Sequence, residues 1–452
     1  MSQIEQQIPH GYKKTEIGVI PEDWDASRMG DLAKIQRGAS PRPIDNPIWF
    51  DRNSEIGWLR ISDVTKTSKY LTETTQSLSQ LGVDNSRYVA SGNLVMSICA
   101  TVGKPIITRR HLCIHDGFVV FNNLQVEQNY MYYILKDLED EWGKQGQTGS
   151  QMNLNTDLIN STFISVPQNK NEQTAIANAL SDVDALLAEL EKLIAKKQAI
   201  KTATMQQLLT GKTRLPQFAT YSEGEKLGQP KGTKSSELGE IPEDWNYRPI
   251  TEIVMRGTAS IKIGPFGSAL KKEYLVKSGY KVYGQENVYE KNMEVGDRYI
   301  SHDHYVQLKS CKIEQGDFLI SMMGTIGKCF IAPPDTEEGI MDSHLLRLRL
   351  DSKKLEARLL IQLFQTPIIL DQISKLSVGG IMDGLSSKII KSLYLPLPDD
   401  ITEQKQIANI LSDMDNEIQT LEQRLAKTRQ IKQGMMQEML TGRTRLPFEK
   451  ES

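Results

Sequence analysis

The feature that most constrains this 452-residue chain is that it is one unit written twice. Residues 16–24 (EIGVIPEDW) return as residues 237–245 (ELGEIPEDW), and residues 92–104 return as residues 316–328. Residues 172–216 return as residues 403–447, with 24 of 45 positions identical. A solenoid would repeat every 20–50 residues or so with little variation. The intervening segments here align poorly, so the pattern indicates two matching supports that carry two different variable regions.

The supports are predicted to be long helices with an apolar seam. Apolar residues step by 4, 3, 4, 3, 4 in each copy, a heptad pattern of about three heptads that Lys197 and Thr428 interrupt. Asn171 and Thr402 are the expected N-caps, and Thr-Gly pairs followed by proline end each helix. The seam residues are Ile176, Leu180, Val183, Leu187, Leu190, Ile194, Ile407, Leu411, Met414, Ile418, Leu421 and Leu425.

Two matching seams in one chain favour pairing of the two helices with each other. An antiparallel pair would place the two variable regions at opposite ends of a rod of roughly 60 Å. The alternative is that each helix is an ordinary amphipathic helix that lies on its own domain.

The variable regions are predicted to be mixed α/β with strands dominant. Residues 92–98 and 316–322 are each followed by a glycine-containing turn and a second apolar run, which is typical of strand–turn–strand. The predicted fold class is therefore α+β, with two α/β domains separated by an antiparallel coiled coil in a pseudo-two-fold repeat. The predicted boundaries are 1–168 (first domain), 169–216 (first long helix), 217–236 (linker), 237–399 (second domain) and 400–448 (second long helix).

Composition indicates a globular cytoplasmic protein without a strong field of its own. Hydrophobic residues make up 39% and charged residues 25% of the chain. No apolar run approaches the roughly 20 residues that cross a bilayer, and the amino terminus lacks the apolar stretch of a signal peptide. The formal net charge is −3, so attraction to nucleic acid would have to come from local patches or from a partner.

Sequence motifs indicate no catalytic or metal site. Gly211-Lys212-Thr213 resembles the end of a phosphate loop, but it follows a helix and lacks the earlier glycine. Pro398-Asp399 with Glu403 is too closely spaced for a nuclease metal site and is better explained by helix capping. The four cysteines contain no Cys-x-x-Cys pair, so they predict neither a disulfide framework nor a zinc site.

The remaining chemistry is binding chemistry. Thr101–Lys104 and Thr325–Lys328 put a hydroxyl, a glycine and a lysine on a turn that could meet a phosphate, or that could be a plain hairpin turn. Side chains with bidentate capacity are candidates for reading bases, although each alone could be a solvated surface residue. The DNA-binding candidates are Arg37, Ser40, Arg42, Arg60, Thr101, Lys104, Gln151, Asn153, Lys262, Ser268, Lys271, Gln285, Asn287, Thr325 and Lys328. Trp24 and Trp245 are expected core anchors.

From Gly11 to Pro447 the chain resembles the DNA-specificity subunit of type I restriction–modification systems. The resemblance rests on the duplicated order of three motifs: the Ile-Pro-Glu-Asp-Trp openings, the Thr-[Val/Ile]-Gly-Lys turns and the helices that end in Leu-Thr-Gly-[Lys/Arg]-Thr-Arg-Leu-Pro. In the first turn Ala100 replaces the glycine found at Gly324, and Asn93 stands where the second copy has Asp317.

The resemblance implies that each variable region is a target-recognition domain that reads one half of a split double-stranded DNA site. It implies a coiled coil whose length sets the gap between half-sites, and a subunit without enzymatic activity or metal of its own. It further implies two modification subunits that use S-adenosylmethionine and two restriction subunits that use ATP and Mg²⁺.

Two other interpretations remain open from the residues. The chain could be a coiled-coil scaffold or adaptor that binds proteins rather than DNA, or the specificity arm of another methyltransferase–nuclease system. Binding that depends on DNA sequence and weakens with salt would separate the scaffold from the DNA reader.

Overall fold

The computed structural model describes residues 8–145, 154–236, 239–257, 259–324, 327–377 and 385–447. The chain forms two compact units. Unit 1 runs up to Glu191 and includes the residues from Gln423 onward, and unit 2 runs from Lys192 to Glu422. Each long helix therefore contributes one part to each unit, whereas the sequence predicted the helices as separate regions.

Unit 1 contains most of the first sequence copy. Its strands and helices are β1 (Tyr12–Thr15), β2 (Gly18–Pro21), β3 (Trp24–Arg28), α1 (Met29–Leu32), β4 (Lys34–Arg37), β5 (Gly57–Leu59), α2 (Ile61–Lys66), β6 (Tyr70–Leu71), β7 (Gln76–Ser77), α3 (Gln80–Asp84), β8 (Arg87–Val89), β9 (Leu94–Ser97), β10 (Pro105–Thr108), β11 (Leu112–Ile114), β12 (Phe118–Asn122), α4 (Gln128–Gln145), α5 (Thr156–Ser161), β13 (Phe163–Pro167) and the first part of α6 (Lys170–Leu208).

Unit 2 contains most of the second copy. Its elements are β14 (Thr233–Ser236), β15 (Gly239–Pro242), β16 (Trp245–Pro249), α7 (Ile250–Ile253), β17 (Ile261–Ile263), β18 (Leu275–Val276), β19 (Tyr280–Tyr283), α8 (Gln285–Tyr289), β20 (Tyr299–Ile300), α9 (His302–Gln307), β21 (Lys312–Ile313), β22 (Phe318–Ser321), β23 (Cys329–Ile331), β24 (Gly339–Met341), β25 (Leu345–Leu348), α10 (Ala357–Leu363), α11 (Pro367–Ser377), α12 (Ser387–Lys391), β26 (Tyr394–Pro398) and the first part of α13 (Ile401–Met439).

The two units share a sheet plan. Unit 1 has sheets ordered β4-β12-β9-β10-β6 and β7-β5-β11-β8, and unit 2 has sheets ordered β17-β25-β22-β23 and β18-β20-β19-β24-β21. The predicted strand–turn–strand pairs are confirmed, since β9 and β10 pair antiparallel and so do β22 and β23. Equivalent strands pair parallel in both units, β5 with β11 and β19 with β24, and unit 1 has a second parallel pair, β6 with β10. The mixed α/β character of the variable regions is therefore as predicted.

Each unit is built around its own core. Trp24 and Trp245, the predicted anchors, are fully buried. Trp24 packs with the start of α6 and the end of α13 in unit 1, and Trp245 packs with the end of α6 and the start of α13 in unit 2. In the described part of the chain no helix is long and apolar enough to cross a membrane.

Both long helices start slightly before the predicted N-caps. The cap side chains are Asn169, which accepts from the Asn171 N–H at 2.8 Å, and Asp400, which accepts from the Thr402 N–H at 2.7 Å. An Asn or Asp at the position just before the helix can accept a hydrogen bond from the N2 amide. Asn169 and Asp400 therefore cap the helices, in place of the predicted Asn171 and Thr402. Glu172 and Glu403 lie in the first turn as expected.

The predicted seam is buried in part. Seven of its residues are buried (Ile176, Leu180, Leu190, Ile194, Ile407, Leu411 and Ile418) and five are half-buried (Val183, Leu187, Met414, Leu421 and Leu425). The burial does not end at Thr428 as predicted. Thr428 is itself buried, and its hydroxyl donates to the Arg424 carbonyl at 2.8 Å. Its burial therefore leaves no hydroxyl without a hydrogen bond.

Ion pairs show the direction of the two helices within each unit. In both units a higher residue number on α6 meets a lower number on α13, so the paired parts run antiparallel, as predicted. The pairs are Asp184–Lys432 (2.6 Å) and Glu191–Arg429 (2.6 Å) in unit 1, and Lys197–Glu417 (2.7 Å) and Lys201–Asp415 (2.6 Å) in unit 2.

The segment predicted as a linker, 217–236, carries regular structure. Its last four residues form β14, which pairs with β15 as β1 pairs with β2 in unit 1. Thr220 and Pro230 form an isolated bridge earlier in the segment. The Gly, Ser and Lys composition concealed this because turn residues and a short edge strand need few apolar side chains.

Candidate nucleic-acid interface

Four loops of unit 1 converge at one edge of its sheets. Because β5 and β11 are parallel, the residues after them, Arg60 and His115, leave the sheet at the same edge. The loop after β4 joins them, since the Gly38 N–H donates to the Phe118 carbonyl at 2.9 Å. The β9–β10 turn joins through the Ile98 N–H, which donates to the Gly117 carbonyl at 2.9 Å. We call these four loops the loop edge of unit 1.

Unit 2 repeats this construction. The Gly264 N–H donates to the Leu345 carbonyl at 3.1 Å, and the Met322 N–H donates to the His344 carbonyl at 2.9 Å. The residues after the parallel strands β19 and β24 are Gly284 and Asp342. The loop edge of unit 2 therefore consists of the loops after β17, β19, β22 and β24.

A glycine makes the close approach possible at each edge. A Cβ on Gly38 would lie 2.0 Å from the His115 carbonyl oxygen, and a Cβ on Gly264 would lie 1.8 Å from the Asp342 carbonyl oxygen. Both distances are far below contact distance, so any side chain at these positions would push the first loop away from the sheet.

Three predicted residues of unit 1 meet at Asp116 on this edge. Arg37 Nε donates to the Asp116 carbonyl at 2.7 Å, and Ser40 Oγ donates to Asp116 Oδ1 at 2.9 Å. Arg42, with a side chain 71% exposed, lies 3.5 Å from Asp116 Oδ2. Burial tends to raise the pKa of Asp116, but the Ser40 hydrogen bond and the charges of His115 and Arg42 hold that pKa below its usual value. Asp116 thus contacts two exposed arginines, Arg37 through its backbone carbonyl and Arg42 through its carboxylate.

Arg60 lies on the same edge and is held by its backbone. It is the N-cap of α2, and its N–H donates to Asp63 Oδ2 at 3.0 Å. Its half-buried side chain forms no hydrogen bond or ion pair with the residues that the structure describes. Burial lowers the pKa of His115; Asp116 opposes this shift and Arg60 adds to it.

The first predicted phosphate turn uses its groups inside unit 1. Lys104 Nζ donates to the Thr65 carbonyl at 3.2 Å, near the C-terminus of α2. Burial lowers the pKa of Lys104, and Lys136 lowers it further. The Thr101 carbonyl accepts a hydrogen bond from the Ser97 hydroxyl. The Lys104 ammonium therefore binds a helix end, in contrast to the predicted phosphate contact, while its counterpart Lys328 is exposed.

The predicted residues of unit 2 also lie at or beside its loop edge. Ser268 and Lys271 are exposed in the loop after β17, where Lys271 Nζ lies 3.2 Å from Glu273 Oε1. Lys262 is half-buried on β17 itself. Gln285 is the first residue of α8, and its Oε1 is buried with no hydrogen-bond partner in the described part of the chain.

Asn287 is a correction to the predicted set. It is fully buried, its Oδ1 accepts from the Gly284 N–H at 2.9 Å, and its amide donates to the carbonyls of Asn292 (3.0 Å) and Val295 (2.8 Å). A side chain that has spent its hydrogen bonds inside the core cannot read a base. Gln151, Asn153 and Thr325 lie outside the described residues.

A repeated charged cluster at the ends of the long helices was not predicted from the sequence. In unit 2 Arg214 forms paired hydrogen bonds with Asp244 (2.7 and 3.1 Å) and with Glu403 (both 2.8 Å), over the ring of Trp245. In unit 1 Arg445 binds Asp23 and Glu172 over Trp24 in the same way. The signal was present, since these residues belong to two of the three duplicated motifs, the Pro-Glu-Asp-Trp openings and the long helices with their ends.

The comparisons with known proteins agree with this architecture. The family model described as the type I restriction modification DNA specificity domain matches residues 21–202 and 242–430. The type I restriction enzyme MjaVIII specificity subunit of Methanocaldococcus jannaschii is 23% identical over 442 residues, which cover 94% of each chain.

Two solved structures share the fold. The type I restriction–modification system S subunit from M. genitalium superposes with a TM-score of 0.55 at 13% identity and covers 99% of both chains. A chain solved in work on complex assembly and conformational transition of the type I R-M system gives 0.53 at 14% identity, covering 94% of this chain and 99% of that one.

The family model matches twice, and the two matched ranges correspond to the two sequence copies. Together they span most of the chain. They include both Pro-Glu-Asp-Trp openings and most of both long helices. This chain therefore belongs to the family of type I restriction–modification DNA specificity domains.

Proposed function

We propose that this chain is the DNA-specificity subunit of a type I restriction–modification complex and reads a bipartite, asymmetric double-stranded DNA site. Each unit reads one half-site through its loop edge. The paired helices set the gap between the half-sites, and catalysis belongs to the partners. These are two modification subunits that use S-adenosylmethionine and two restriction subunits that use ATP and Mg²⁺.

One observation carries the proposal. Candidates chosen in two segments that scarcely align in sequence lie on equivalent loops of two equivalent sheets. Arg37, Arg42 and Arg60 surround the edge of unit 1, whereas Ser268, Lys271 and Gln285 occupy the edge of unit 2. A shared scaffold with different polar side chains at one place is what two readers of different sequences require.

The near-neutral net charge is consistent with a subunit that binds DNA together with its partner subunits. With a net charge of −3, the chain alone supplies little non-specific attraction to phosphates. Modification subunits that contribute cations would supply the salt-dependent part of binding. Family membership also speaks against the interpretation as a protein-binding scaffold.

The experiment expresses the chain with its cognate modification subunit in a host that lacks adenine methylation and maps methylated adenines across the genome. The expected result is one split motif with a fixed gap and two different halves. A host that carries the modification subunit alone is the control and should show no such motif. A stable complex without any motif would refute sequence recognition and leave the scaffold interpretation.

An exchange within the chain assigns the halves. Replacing residues 25–165 by residues 246–396 should change only the half that unit 1 reads and produce two identical half-sites in inverted orientation. A motif that stays asymmetric after the exchange would contradict one half-site per unit.

A further inference from the structure

An arginine without a partner lines a cavity at the loop edge of unit 1. The cavity has a volume of about 890 Å³, and Arg60 and Arg52 lie on it together with hydroxyls of Thr74, Thr75 and Ser77. Ile44 and Phe50 form an apolar part of its wall. The hydroxyls of Thr74 and Thr75 already donate to the Gln76 carbonyl and to Asp63, so the two arginines supply the main open donors beside the apolar wall.

The guanidinium of Arg60 lacks the acceptors that a half-buried cation normally has. The nearby carboxylate of Asp63 is already engaged, because it accepts from the Arg60 N–H (3.0 Å), from the Thr75 N–H (3.2 Å) and from the Thr75 hydroxyl. Asp45 also lies on the cavity wall but forms no ion pair with Arg60 in the described structure. The guanidinium therefore keeps its donors available to a ligand that brings acceptors.

The backbone of Arg60 is held in place by α2. Its carbonyl accepts from the N–H groups of Asp63 (3.0 Å) and Val64 (3.3 Å) in the first turn of α2. A fork on a fixed backbone loses less conformational freedom on binding than one on a mobile loop.

Unit 2 has no side chain at this position. Arg60 follows β5 and caps α2, and Gly284 follows β19 and caps α8. The match is close, since Asp63 accepts from the Arg60 N–H as Asn287 accepts from the Gly284 N–H. The Arg298 guanidinium lies beside Gly284, but unlike that of Arg60 it is already paired, with Glu286 (2.7 Å) and Asp342 (3.0 Å).

We infer that Arg60 is a specificity-determining residue that reads a guanine in the half-site bound by unit 1. Guanine presents O6 and N7 in the major groove as two acceptors side by side, which matches the guanidinium fork. A phosphate contact would be possible for any arginine, but it would not explain a fixed position among variable loops and beside an apolar wall. The inference rests on the proposed function and adds to it one base that unit 1 recognises.

The test measures binding of the purified complex with its modification subunit to duplexes that carry the mapped motif. Each guanine of the unit 1 half-site is replaced singly by 7-deazaguanine, which lacks the N7 acceptor. The wild-type complex should lose about ten-fold to a hundred-fold in affinity at one guanine. Arg60→Ala should bind more weakly and be indifferent to that replacement, while its dependence on the unit 2 half-site is unchanged.

Matched variants separate a base contact from a charge effect. Arg109→Ala removes an exposed arginine at the other end of β10 and should keep the full sensitivity to 7-deazaguanine. Arg60→Lys keeps the charge but not the two-pronged guanidinium, so it should lose most of the sensitivity to N7. It also serves as the test variant if the Arg60→Ala protein does not fold.

The outcomes distinguish this inference from the proposed function. A unit 1 half-site without guanine, or an N7 sensitivity that persists in Arg60→Ala and Arg60→Lys, overturns the role of Arg60 and leaves the bipartite motif intact. Full affinity in Arg60→Lys, together with a wild-type complex that is insensitive to 7-deazaguanine at every position, would mean a phosphate contact and also overturns it. Wild-type binding that ignores DNA sequence overturns the proposed function itself.

Discussion

At the residue scale, two different side chains accept the same kind of capping hydrogen bond in the two units. Asp63 and Asn287 each occupy the third position of a short helix and accept the N–H of the residue that caps it. Beyond that shared bond they differ, because Asp63 also accepts from Thr75 whereas Asn287 donates to two carbonyls of the loop that follows α8. The position is structural in both units, although only the amide resembled a base reader in the sequence.

Asn287→Ala should therefore cost stability and not specificity. The substitution leaves the buried Gly284 N–H without a partner, which costs about 1–3 kcal/mol, and it also removes the two hydrogen bonds to the carbonyls of Asn292 and Val295. Urea unfolding of the purified protein measures the loss. The control Ser268→Ala, at an exposed position, should change the free energy of unfolding by less than about 0.5 kcal/mol. An Asn287→Ala protein of native stability with an altered methylation motif would contradict this assignment.

At the scale of elements, each long helix ends against the opening motif of a sequence copy. Gly442 ends α13 against Pro21 in unit 1, and Gly211 follows α6 against Pro242 in unit 2. Both glycines have positive φ (72° and 69°), and a Cβ on either would lie within 2.6 Å of the proline ring. The duplicated Thr-Gly and Ile-Pro-Glu-Asp-Trp motifs are thus two halves of one contact.

The arginine that follows each glycine closes the contact electrostatically. Arg214 has a side chain only 10% exposed and bridges Asp244 and the almost fully buried Glu403. Burial raises the pKa of Glu403, and the hydrogen bonds and charge of Arg214 oppose that rise. A buried ion pair of this kind contributes little net stability, but loss of one partner is expensive.

Arg214→Ala should destabilise unit 2 by about 3–5 kcal/mol, because it leaves Glu403 buried without its cation. Without the opposing charge, the pKa of Glu403 in the folded state should rise further above its unfolded value. An acid with a raised folded pKa binds more protons folded than unfolded, so stability falls as pH rises. Thermal unfolding should therefore show a larger loss at pH 7 than at pH 5.

Lys212→Ala is the matched control, since Lys212 is exposed two residues earlier on the same turn. It should change the free energy of unfolding by less than about 0.5 kcal/mol at either pH. A small, pH-independent effect of Arg214→Ala would mean that packing of Trp245 and the helix end, rather than the ion pairs, holds this contact.

At the scale of the whole molecule, the proposed function makes the helix pair a ruler. A heptad inserted into each long helix at the level of the Lys197–Glu417 ion pair keeps the apolar seam in phase. Seven residues add about 10 Å of helix, which corresponds to about 3 base pairs of DNA. The methylation motif should keep both halves and gain that many base pairs in its gap.

The control inserts the same seven residues beyond the helices, after Ser222 in the segment that joins the two copies. That protein should methylate the original motif with the original gap. If both insertions leave the gap unchanged although the proteins fold, the helices do not set the spacing.

Elements with a local or periodic cause could be predicted from the amino-acid sequence. The duplication, the heptad seams from Ile176 and Ile407 and the glycine turns between β9 and β10 and between β22 and β23 can each be read within a few dozen residues. Periodicity and turn chemistry depend on neighbours along the chain, so both long helices and the mixed α/β variable regions could be predicted.

The burial and the partners of individual polar residues depend on the tertiary structure. Lys104 binds a carbonyl 39 residues away, and Arg445 binds Asp23 across 422 residues. Asn287 and Gln285 are two positions apart and equally polar in sequence, yet one is sealed in the core and the other opens the helix at the loop edge. Burial and partner choice are set by contacts between distant segments, and the order of residues along one chain does not specify which segments will meet.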